Sequence, residues 1–243
     1  MTPPLFLLDD VPDASTLRLG GDEGRHAARV KRIAVGETVL IGDGRGCIAQ
    51  CAVTAVDGDG LQLRVAARSQ TPRADPRVVV VQALPKGERA ELAVEMLTEL
   101  GVDEIVPWQS ARSIVRWDGT RGERSLERWR RTAREATKQS RRAWLPEVGA
   151  VAATPDVAAR LRAAACAFVL HEGATVPLAQ APVADTGEVV VVVGPEGGVA
   201  PDELAAFEGA GATAVRLGAQ VLRTSTAGPA AIAALSVRLG RWG

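Results

Sequence analysis

A run of five valines, Val189–Val193, constrains the fold of this chain more than any other sequence feature. The run is too short for a typical helix, which favours a buried strand of a parallel sheet. It ends at the glycine-rich segment 194–198, and a helix signal follows at once, with Pro201 suited to the first helical position and Asp202 in the first turn. This order places a flexible backbone loop at the carboxyl end of a strand, where α/β proteins bind ligands.

From residue 77 onward, the predicted strands and helices alternate. Predicted strands cover 78–84, 102–106, 165–170, 189–193 and 214–217, and predicted helices cover 88–100, 123–141, 156–164, 201–209 and 227–239. Alternation of this kind is typical of an α/β fold, in which a parallel sheet is covered on both faces.

The first 70 residues are predicted to be β-rich. Short apolar segments at 37–41, 47–56 and 61–67 are separated by turns that contain Asp-Gly pairs, which supply the positive φ angles of tight hairpins. The polar segment 69–76 has two prolines and is typical of a linker. The sequence therefore predicts a small β domain over 1–70, a linker over 71–76 and an α/β domain over 77–243.

The composition argues against several classes of site. Lys plus Arg and Asp plus Glu both number 29, so the net charge does not by itself indicate a nucleic-acid partner. Three cysteines without a Cys-x-x-Cys pair, together with two histidines, argue against a disulfide framework and a zinc site. No apolar stretch approaches the roughly 20 residues of a membrane span. We therefore expect a soluble, cytoplasmic protein that binds no metal.

Two segments near the C-terminal end resemble the motifs of a known enzyme superfamily. VVVVVGPEGGVAPDEL (189–204) and VRLGAQVLRTSTAGPAAIAAL (215–235) look like the end motifs of the SPOUT methyltransferases, and most closely those of the RsmE family. Further matches follow in family order over nearly the whole chain: RHAARVKR (25–32), LPKGERAELAVEMLTELGV (84–102), REATKQSRRAWLPEV (134–148) and LHE (170–172).

The resemblance implies a fold, a reaction and an assembly. The fold would be a small N-terminal PUA-like RNA-binding β-barrel followed by a SPOUT domain, whose parallel sheet carries a deep trefoil knot. The reaction would be methylation of N3 of one uridine in 16S ribosomal RNA, with S-adenosyl-L-methionine as the methyl donor and with naked rRNA or the assembled small subunit as the partner. The assembly would be a homodimer that packs through the C-terminal helix region of the SPOUT domain.

The resemblance also implies that three loops at strand carboxyl ends converge on the methyl donor. Exposed N–H and C=O groups of glycine loops can bind the adenine edge, while leucine side chains cover the ring. The residues expected to bind the donor are Leu170, His171, Glu172, Gly194, Pro195, Glu196, Gly197, Leu217, Gly218, Val221, Leu222 and Thr224.

Methylation of uridine N3 requires that its proton leaves before or during attack. A carboxylate base or a cation that stabilises the resulting anion would assist this step. Glu172 and Glu196 are the candidate bases, although Glu196 is equally suited to bonding loop N–H groups, and Arg223 is the candidate cation or phosphate clamp. Many relatives have Glu where this chain has Ser225, so we assign Ser225 no role in proton transfer. Thr224 and Ser225 are instead predicted to cap the following helix.

Basic side chains are concentrated in residues 121–142, which contain nine basic and three acidic residues. On a helix whose apolar stripe includes Trp129 and Ala133, they predict a cationic ridge suited to phosphate contacts, and a merely solvated helix face is the alternative. Near the N-terminus, His26, Arg29 and Arg32 are spaced to share a helix face. The residues expected to bind RNA are Arg25, Arg29, Arg32, Lys86, Arg89, Arg131, Arg134 and Lys138.

Two other functions stay open on the sequence alone. One is a ribose 2′-O-methyltransferase of the same superfamily, against which the N-terminal motifs argue. The other is a non-catalytic RNA-binding assembly factor that has kept the fold, which Ser225 favours.

Overall fold

The computed structural model describes residues 2–87 and 89–242 and divides the chain into two compact units. The N-terminal unit comprises the residues up to Arg73 together with Thr137–Leu145. The C-terminal unit comprises Ala74–Ala136 and the residues from Pro146 onward. The division after Arg73 falls within the predicted linker, whereas the sequence pattern places 137–145 wholly within the α/β domain.

A five-stranded sheet organises the N-terminal unit. Its strands are β1 Leu5–Leu7, β2 Thr16–Leu19, β3 Thr38–Gly42, β4 Cys47–Asp57 and β5 Gly60–Gln70. The order in the sheet is β1-β3-β4-β5-β2, in which β1 pairs with β3 in parallel and the other pairs are antiparallel. Alternate residues of the strands, such as Leu61 and Leu63 in β5, point into one apolar core. This is the small β domain that the sequence predicts, and β1 and β2 are strands that the sequence pattern does not indicate.

The helical piece predicted around His26 is short and irregular. Helix α1 covers Gly21–Arg25 and continues into a π-helical turn over His26–Val30. Because the π-helical turn has i→i+5 bonding, its residues are spaced differently from those of an α-helix. Arg32 lies beyond this turn, with a φ of 53°. The predicted helix face shared by His26, Arg29 and Arg32 is therefore wrong.

Three contacts explain why residues 137–145 belong with the N-terminal unit. Trp144 donates its indole N–H to the Thr71 carbonyl at 2.9 Å, and the Arg73 guanidinium lies 4.8 Å from the centre of the Trp144 ring. Lys138 pairs with Glu23 at 2.9 Å. The sequence pattern does not indicate these contacts, because the hydrogen-bonded partners are 73 and 115 positions apart.

The C-terminal unit contains a seven-stranded parallel sheet, as the alternating pattern predicts. Its strands are β6 Arg77–Ala83, β7 Glu104–Trp108, β8 Glu147–Val148, β9 Cys166–Leu170, β10 Val176–Pro177, β11 Glu188–Val193 and β12 Thr213–Arg216. The helices of this part of the chain are α2 Arg89–Glu99, α3 Gly119–Ser140, α4 Thr154–Ala163, α5 Pro201–Gly209 and α6 Thr224–Arg238. The strand order is β10-β12-β9-β11-β6-β7-β8, and every pair is parallel. The trefoil knot stays a prediction of the resemblance.

The valine run forms β11, which is buried on both faces near the middle of the sheet. Val190 and Val192 pack in one core cluster with Phe207 of α5. Val193 lies on the other face, where α6 passes close to it at Gly228. Because both faces are covered by helices, the strand has no polar alternation.

The start of α6 differs from the prediction in two ways. The helix begins at Thr224, three residues before the predicted 227, and its N-cap is Arg223. No side chain makes a capping hydrogen bond there, and Thr224 and Ser225 lie buried inside the first turn. The prediction that these two residues cap α6 is therefore wrong.

Candidate active site

Three loops meet at one edge of the parallel sheet because their strands are neighbours. Strands β12, β9 and β11 lie side by side and run in the same direction. Their carboxyl ends therefore lie at the same edge, and the segments 171–173, 194–198 and 217–223 follow them there. This is the convergence that the sequence motifs predict.

The three loops enclose a cleft of about 500 Å³. This volume lies within the range of roughly 300–1,000 Å³ that is usual for small-molecule sites. The cleft is lined by Arg223 and by every residue expected to bind the methyl donor: Leu170, His171, Glu172, Gly194, Pro195, Glu196, Gly197, Leu217, Gly218, Val221, Leu222 and Thr224. Their contact with a donor stays a prediction.

The loop that follows β12 presents apolar side chains to the cleft. Val221 is 75% exposed and Leu222 is 37% exposed, although both side chains are large and apolar. A flat aromatic ligand that lies against them would remove this surface from water, which is favourable. The loop therefore offers an exposed apolar wall that suits a flat aromatic ring.

The glycine loop after β11 is held from two sides. The backbone N–H of Lys86 donates to Oε1 of Glu196 at 3.1 Å, and Nη1 of Arg112 donates to the Gly197 carbonyl at 2.9 Å. Gly198 has a φ of +72°, a left-handed conformation that favours glycine. One oxygen of the Glu196 carboxylate is thus used to fix the loop, which is the structural role that the sequence left open.

One ring nitrogen of His171 is already used in a hydrogen bond within its own loop. Its Nδ1 accepts a hydrogen bond from the Gly173 N–H at 3.1 Å. In the neutral ring the proton then resides on Nε2, so that His171 offers a donor to a ligand rather than a base.

The charges around the cleft are predominantly positive. Among the described lining residues, Glu172 and Glu196 are the acidic side chains, and the basic side chains are Arg89, Arg112, Arg216 and Arg223. Arg223 is exposed at the N-terminal end of α6, and Glu172 is exposed beside His171. The site combines an apolar wall, glycine-loop backbone and an excess of guanidinium groups.

The residues expected to bind RNA have different environments. Arg131 is exposed on α3, and Arg89 lines the cleft. Arg29 forms an ion pair with Asp59 at 2.5 Å, and Arg25 pairs with Asp22. The remaining expected residues are Lys86 and Arg32, which are exposed, and Arg134, which is half-buried.

Lys138 does not belong to an exposed basic surface. Its side chain is 12% exposed and pairs with Glu23, whose side chain is 16% exposed. The prediction that Lys138 contributes to the RNA-binding ridge is therefore contradicted by its burial in a structural ion pair.

Two charged residues of the described cleft lining, Arg112 and Arg216, are not among the sequence predictions. Arg216 ends β12, directly before the predicted Leu217. Arg112 follows β7, whose carboxyl end lies at the same sheet edge as the other loops. The rule that parallel strands bring their carboxyl ends to one edge is the signal that identifies Arg112.

Two structural properties of the described residues complete the site description. Within 2–87 and 89–242, no cluster of three or more His, Cys, Asp or Glu residues is arranged to hold a metal ion. Over the same residues, no helix has the length and apolar character needed to cross a bilayer.

Family models match both units of the chain. A model of an RNA methyltransferase domain matches residues 72–236, and a model of an RNA methyltransferase PUA domain matches residues 19–66. Together with the parallel sheet and the cleft, these matches define the class: the chain is built as an RNA methyltransferase with a PUA domain before its SPOUT-type α/β domain.

Individual relatives identify the family within this class. The ribosomal RNA small subunit methyltransferase E of Mycobacterium tuberculosis is 49% identical over 247 residues, which cover 100% of this chain and 94% of the relative. The Bacillus subtilis protein of the same name is 29% identical, with coverage of 93% and 91%. A crystal structure of the Neisseria gonorrhoeae enzyme bound to S-adenosyl methionine has 26% identity, a TM-score of 0.87 and 98% coverage of both chains. The chain belongs to the ribosomal RNA small subunit methyltransferase E family.

Proposed function

We propose that this protein transfers a methyl group from S-adenosylmethionine to N3 of one uridine in the 16S RNA of the small ribosomal subunit. The observation that carries the proposal is the single cleft into which the three motif loops converge. The relative named ribosomal RNA small subunit methyltransferase E, which aligns with the whole of this chain, supports methylation of small-subunit ribosomal RNA.

The residues of the cleft suit the methyl donor. S-adenosylmethionine supplies an electrophilic methyl group on a sulfonium, and no metal is needed for its transfer. Val221 and Leu222 would cover the adenine ring, and the backbone of 194–198 and 217–220 would bind its polar edge. The exposed apolar area on this wall supports ligand binding there.

The uridine N3 proton must leave as the bond from N3 to the methyl carbon forms and the bond from carbon to sulfur breaks. Glu172 is our candidate for the proton acceptor, because it lines the cleft and is exposed, whereas Glu196 fixes the glycine loop through the Lys86 N–H. Arg223 is our candidate for the cation that stabilises the developing negative charge of the uracil ring. Holding the two reactants together in one cleft would supply much of the rate acceleration.

The exposed basic residues of α3 and of the N-terminal unit would bind the RNA backbone. Arg131 and Arg89 are exposed and can contact phosphates. Arg25, Arg29 and Arg32 are exposed on the N-terminal unit, where Arg25 pairs with Asp22 and Arg29 with Asp59. The match of a PUA domain model to residues 19–66 supports RNA binding by that unit.

We also propose a cytoplasmic homodimer that packs through the C-terminal unit. Helices α2 and α6 pack against each other, and they expose the large apolar side chains Leu92 and Val237. Light scattering that gives the mass of a monomer at micromolar concentration would contradict the dimer.

The reaction is tested by incubating the protein with methyl-labelled S-adenosylmethionine and unmethylated small ribosomal subunits, and then identifying labelled nucleosides by mass spectrometry. The proposal expects label in 3-methyluridine. Label in a ribose 2′-O-methylated nucleoside would replace the proposal with that alternative. Absence of transfer together with absence of donor binding at millimolar concentration would indicate a non-catalytic RNA-binding factor.

The variant Arg223→Ala tests the assignment of the cation. It should lower the turnover number by about 100-fold or more, as loss of a charge-stabilising donor does, with less than about a fivefold loss of donor affinity. Unchanged turnover would remove Arg223 from the catalytic residues.

A further inference from the structure

We propose that Arg112 contacts a phosphate of the RNA substrate at the cleft and that buried Glu203 is its positioning residue. The inference rests on the proposed function and adds an RNA-binding residue that lies outside the motif loops.

Arg112 lies along the glycine loop and keeps most of its donors available. Nη1 donates to the Gly197 carbonyl at 2.9 Å, and a side chain at Gly197 would place its Cβ 3.4 Å from the Cβ of Arg112. A guanidinium carries five N–H donors in a planar fork. Among the ion pairs of the described residues none involves Arg112, and this residue is exposed. The hydrogen bond to Gly197 therefore orients the fork while most of its N–H groups stay free for a ligand.

The charge of the two substrates decides which one Arg112 serves. S-adenosylmethionine carries a sulfonium and an ammonium against a single carboxylate, so that its net charge is positive. A cleft lined by four arginines and two glutamates among its described residues therefore does not favour the donor through charge. RNA is a polyanion, and guanidinium groups bind phosphate in a bidentate geometry. The excess of arginine over glutamate in the described cleft lining therefore favours binding of the RNA strand.

Glu203 hydrogen-bonds to the two segments that carry Arg112 and Gly197. Its side chain is on α5 and is only 5% exposed. Oε1 accepts from the N–H of Ala111 at 2.7 Å and from the hydroxyl of Thr154 at 3.0 Å, and Oε2 accepts from the N–H of Ala200 at 3.1 Å. Ala111 directly precedes Arg112, and Ala200 follows the glycine loop that carries Gly197. A single buried carboxylate thus sets the relative position of the two segments.

The proposal is tested first on Arg112 itself. In Arg112→Ala, we expect the dissociation constant for small subunits or naked 16S RNA to rise about tenfold at moderate salt, and the slope of log affinity against log salt to fall by about one, because one phosphate contact is lost. The dissociation constant for S-adenosylmethionine, measured by calorimetry, should change by less than about twofold. Arg112→Lys keeps the charge and should keep the salt slope, with a smaller loss of affinity.

The matched control is Arg116→Ala, which removes the same charge from an exposed residue of the same loop that does not line the cleft. It should change neither affinity by more than about twofold. An Arg112→Ala variant that behaves like this control would overturn the proposal, and so would a loss confined to donor affinity. Wild-type protein that fails to bind S-adenosylmethionine would instead contradict the proposed function, so the two failures are distinguishable.

The positioning role is tested by a double-mutant cycle. Glu203→Gln keeps the volume but turns an amide N–H₂ toward one of the N–H donors, so RNA affinity should fall about three- to fivefold. In the Arg112→Ala background the same change should have no further effect on RNA affinity, because Glu203 acts through Arg112. Full additivity of the two losses would overturn the positioning role. If Glu203→Gln does not fold, the Arg112 variants and their control still decide the RNA contact.

Discussion

Glu104→Gln is expected to lower the stability of the C-terminal unit and leave its ligand site intact. Glu104 begins β7, and its side chain is 8% exposed. Its two oxygens accept from Arg160 at 2.5 Å and 2.6 Å, and one of them also accepts from Arg77 at 3.3 Å. Burial lowers the pKa of Arg160, but the hydrogen bond and charge of Glu104, together with Glu188, outweigh it, so that this pKa is raised. The two carboxylates thus stabilise the charged form of Arg160 more than burial destabilises it.

The size of the effect follows from this geometry. Removal of one partner of a buried ion pair costs about 3–5 kcal/mol. Arg160 keeps Glu188, which it contacts at 3.0 Å and 3.1 Å, so we expect the lower end, about 3 kcal/mol. For a chain of this length, 1 kcal/mol corresponds to roughly 2–4 °C, which gives a decrease of about 6–12 °C in the unfolding midpoint of the C-terminal unit.

The assay combines thermal unfolding, followed by calorimetry or circular dichroism, with titration of S-adenosylmethionine. Glu104, Arg77 and Glu188 are located at the amino ends of their strands, whereas the cleft lies at the carboxyl ends. Donor affinity at a temperature where the variant is folded should therefore stay within about twofold of wild type. Glu208→Gln, an exposed substitution on α5, is the control. A midpoint shift below about 2 °C, or a parallel loss of donor affinity, would contradict a purely stabilising role of the Glu104 ion pair.

Three further predictions concern packing, titration and RNA binding. Gly228→Val should lower the free energy of unfolding by about 1–3 kcal/mol in urea titrations, because even the Cβ of the new side chain would lie 3.2 Å from Leu97 Cδ2. An unchanged stability would contradict the close packing of α6 on α2. Burial raises the pKa of the Cys51 thiol, despite the opposing charge of Arg68. The stability that the buried neutral thiol contributes is therefore present below the unfolded pKa of about 8.5 and is lost as the pH rises above it. Cys51→Ala should flatten the decrease in unfolding free energy between pH 8 and 10, and an identical slope would contradict this. Lys138→Gln should destabilise the N-terminal unit by roughly 2–4 kcal/mol in melting experiments, because it removes one partner of a buried ion pair. Arg131→Gln should weaken only RNA binding, measured by filter binding. The reverse outcome would return Lys138 to the RNA-binding surface.

The central sheet could be predicted from the sequence because its signals are local. The valine run, the glycine loop and Pro201 together define β11 and the start of α5, and the structure confirms α5 at Pro201–Gly209. The three motif loops were expected to converge, and they do so because β12, β9 and β11 are neighbours. The strand, loop and helix signals each lie within one segment, whereas the convergence of the loops was implied by the family resemblance.

The features that the sequence did not indicate depend on contacts between distant residues. Arg112 reaches Gly197 across 85 positions, and Trp144 reaches Thr71 across 73, so no local pattern records either contact. β1 is only three residues long, which is too short for a periodic signal. The capping prediction at Thr224 and Ser225 was wrong because the chain enters α6 earlier, at Arg223, so that both residues are inside the helix.

A crystal structure of the protein with S-adenosylmethionine would show directly whether the three motif loops form the donor site. We expect donor density in the cleft between residues 170–173, the glycine loop 194–198 and residues 217–224. The adenine ring should lie against Val221 and Leu222, with the methyl group open to the RNA side. Donor bound elsewhere on the chain, or a cleft that stays empty at saturating donor concentration, would contradict this expectation.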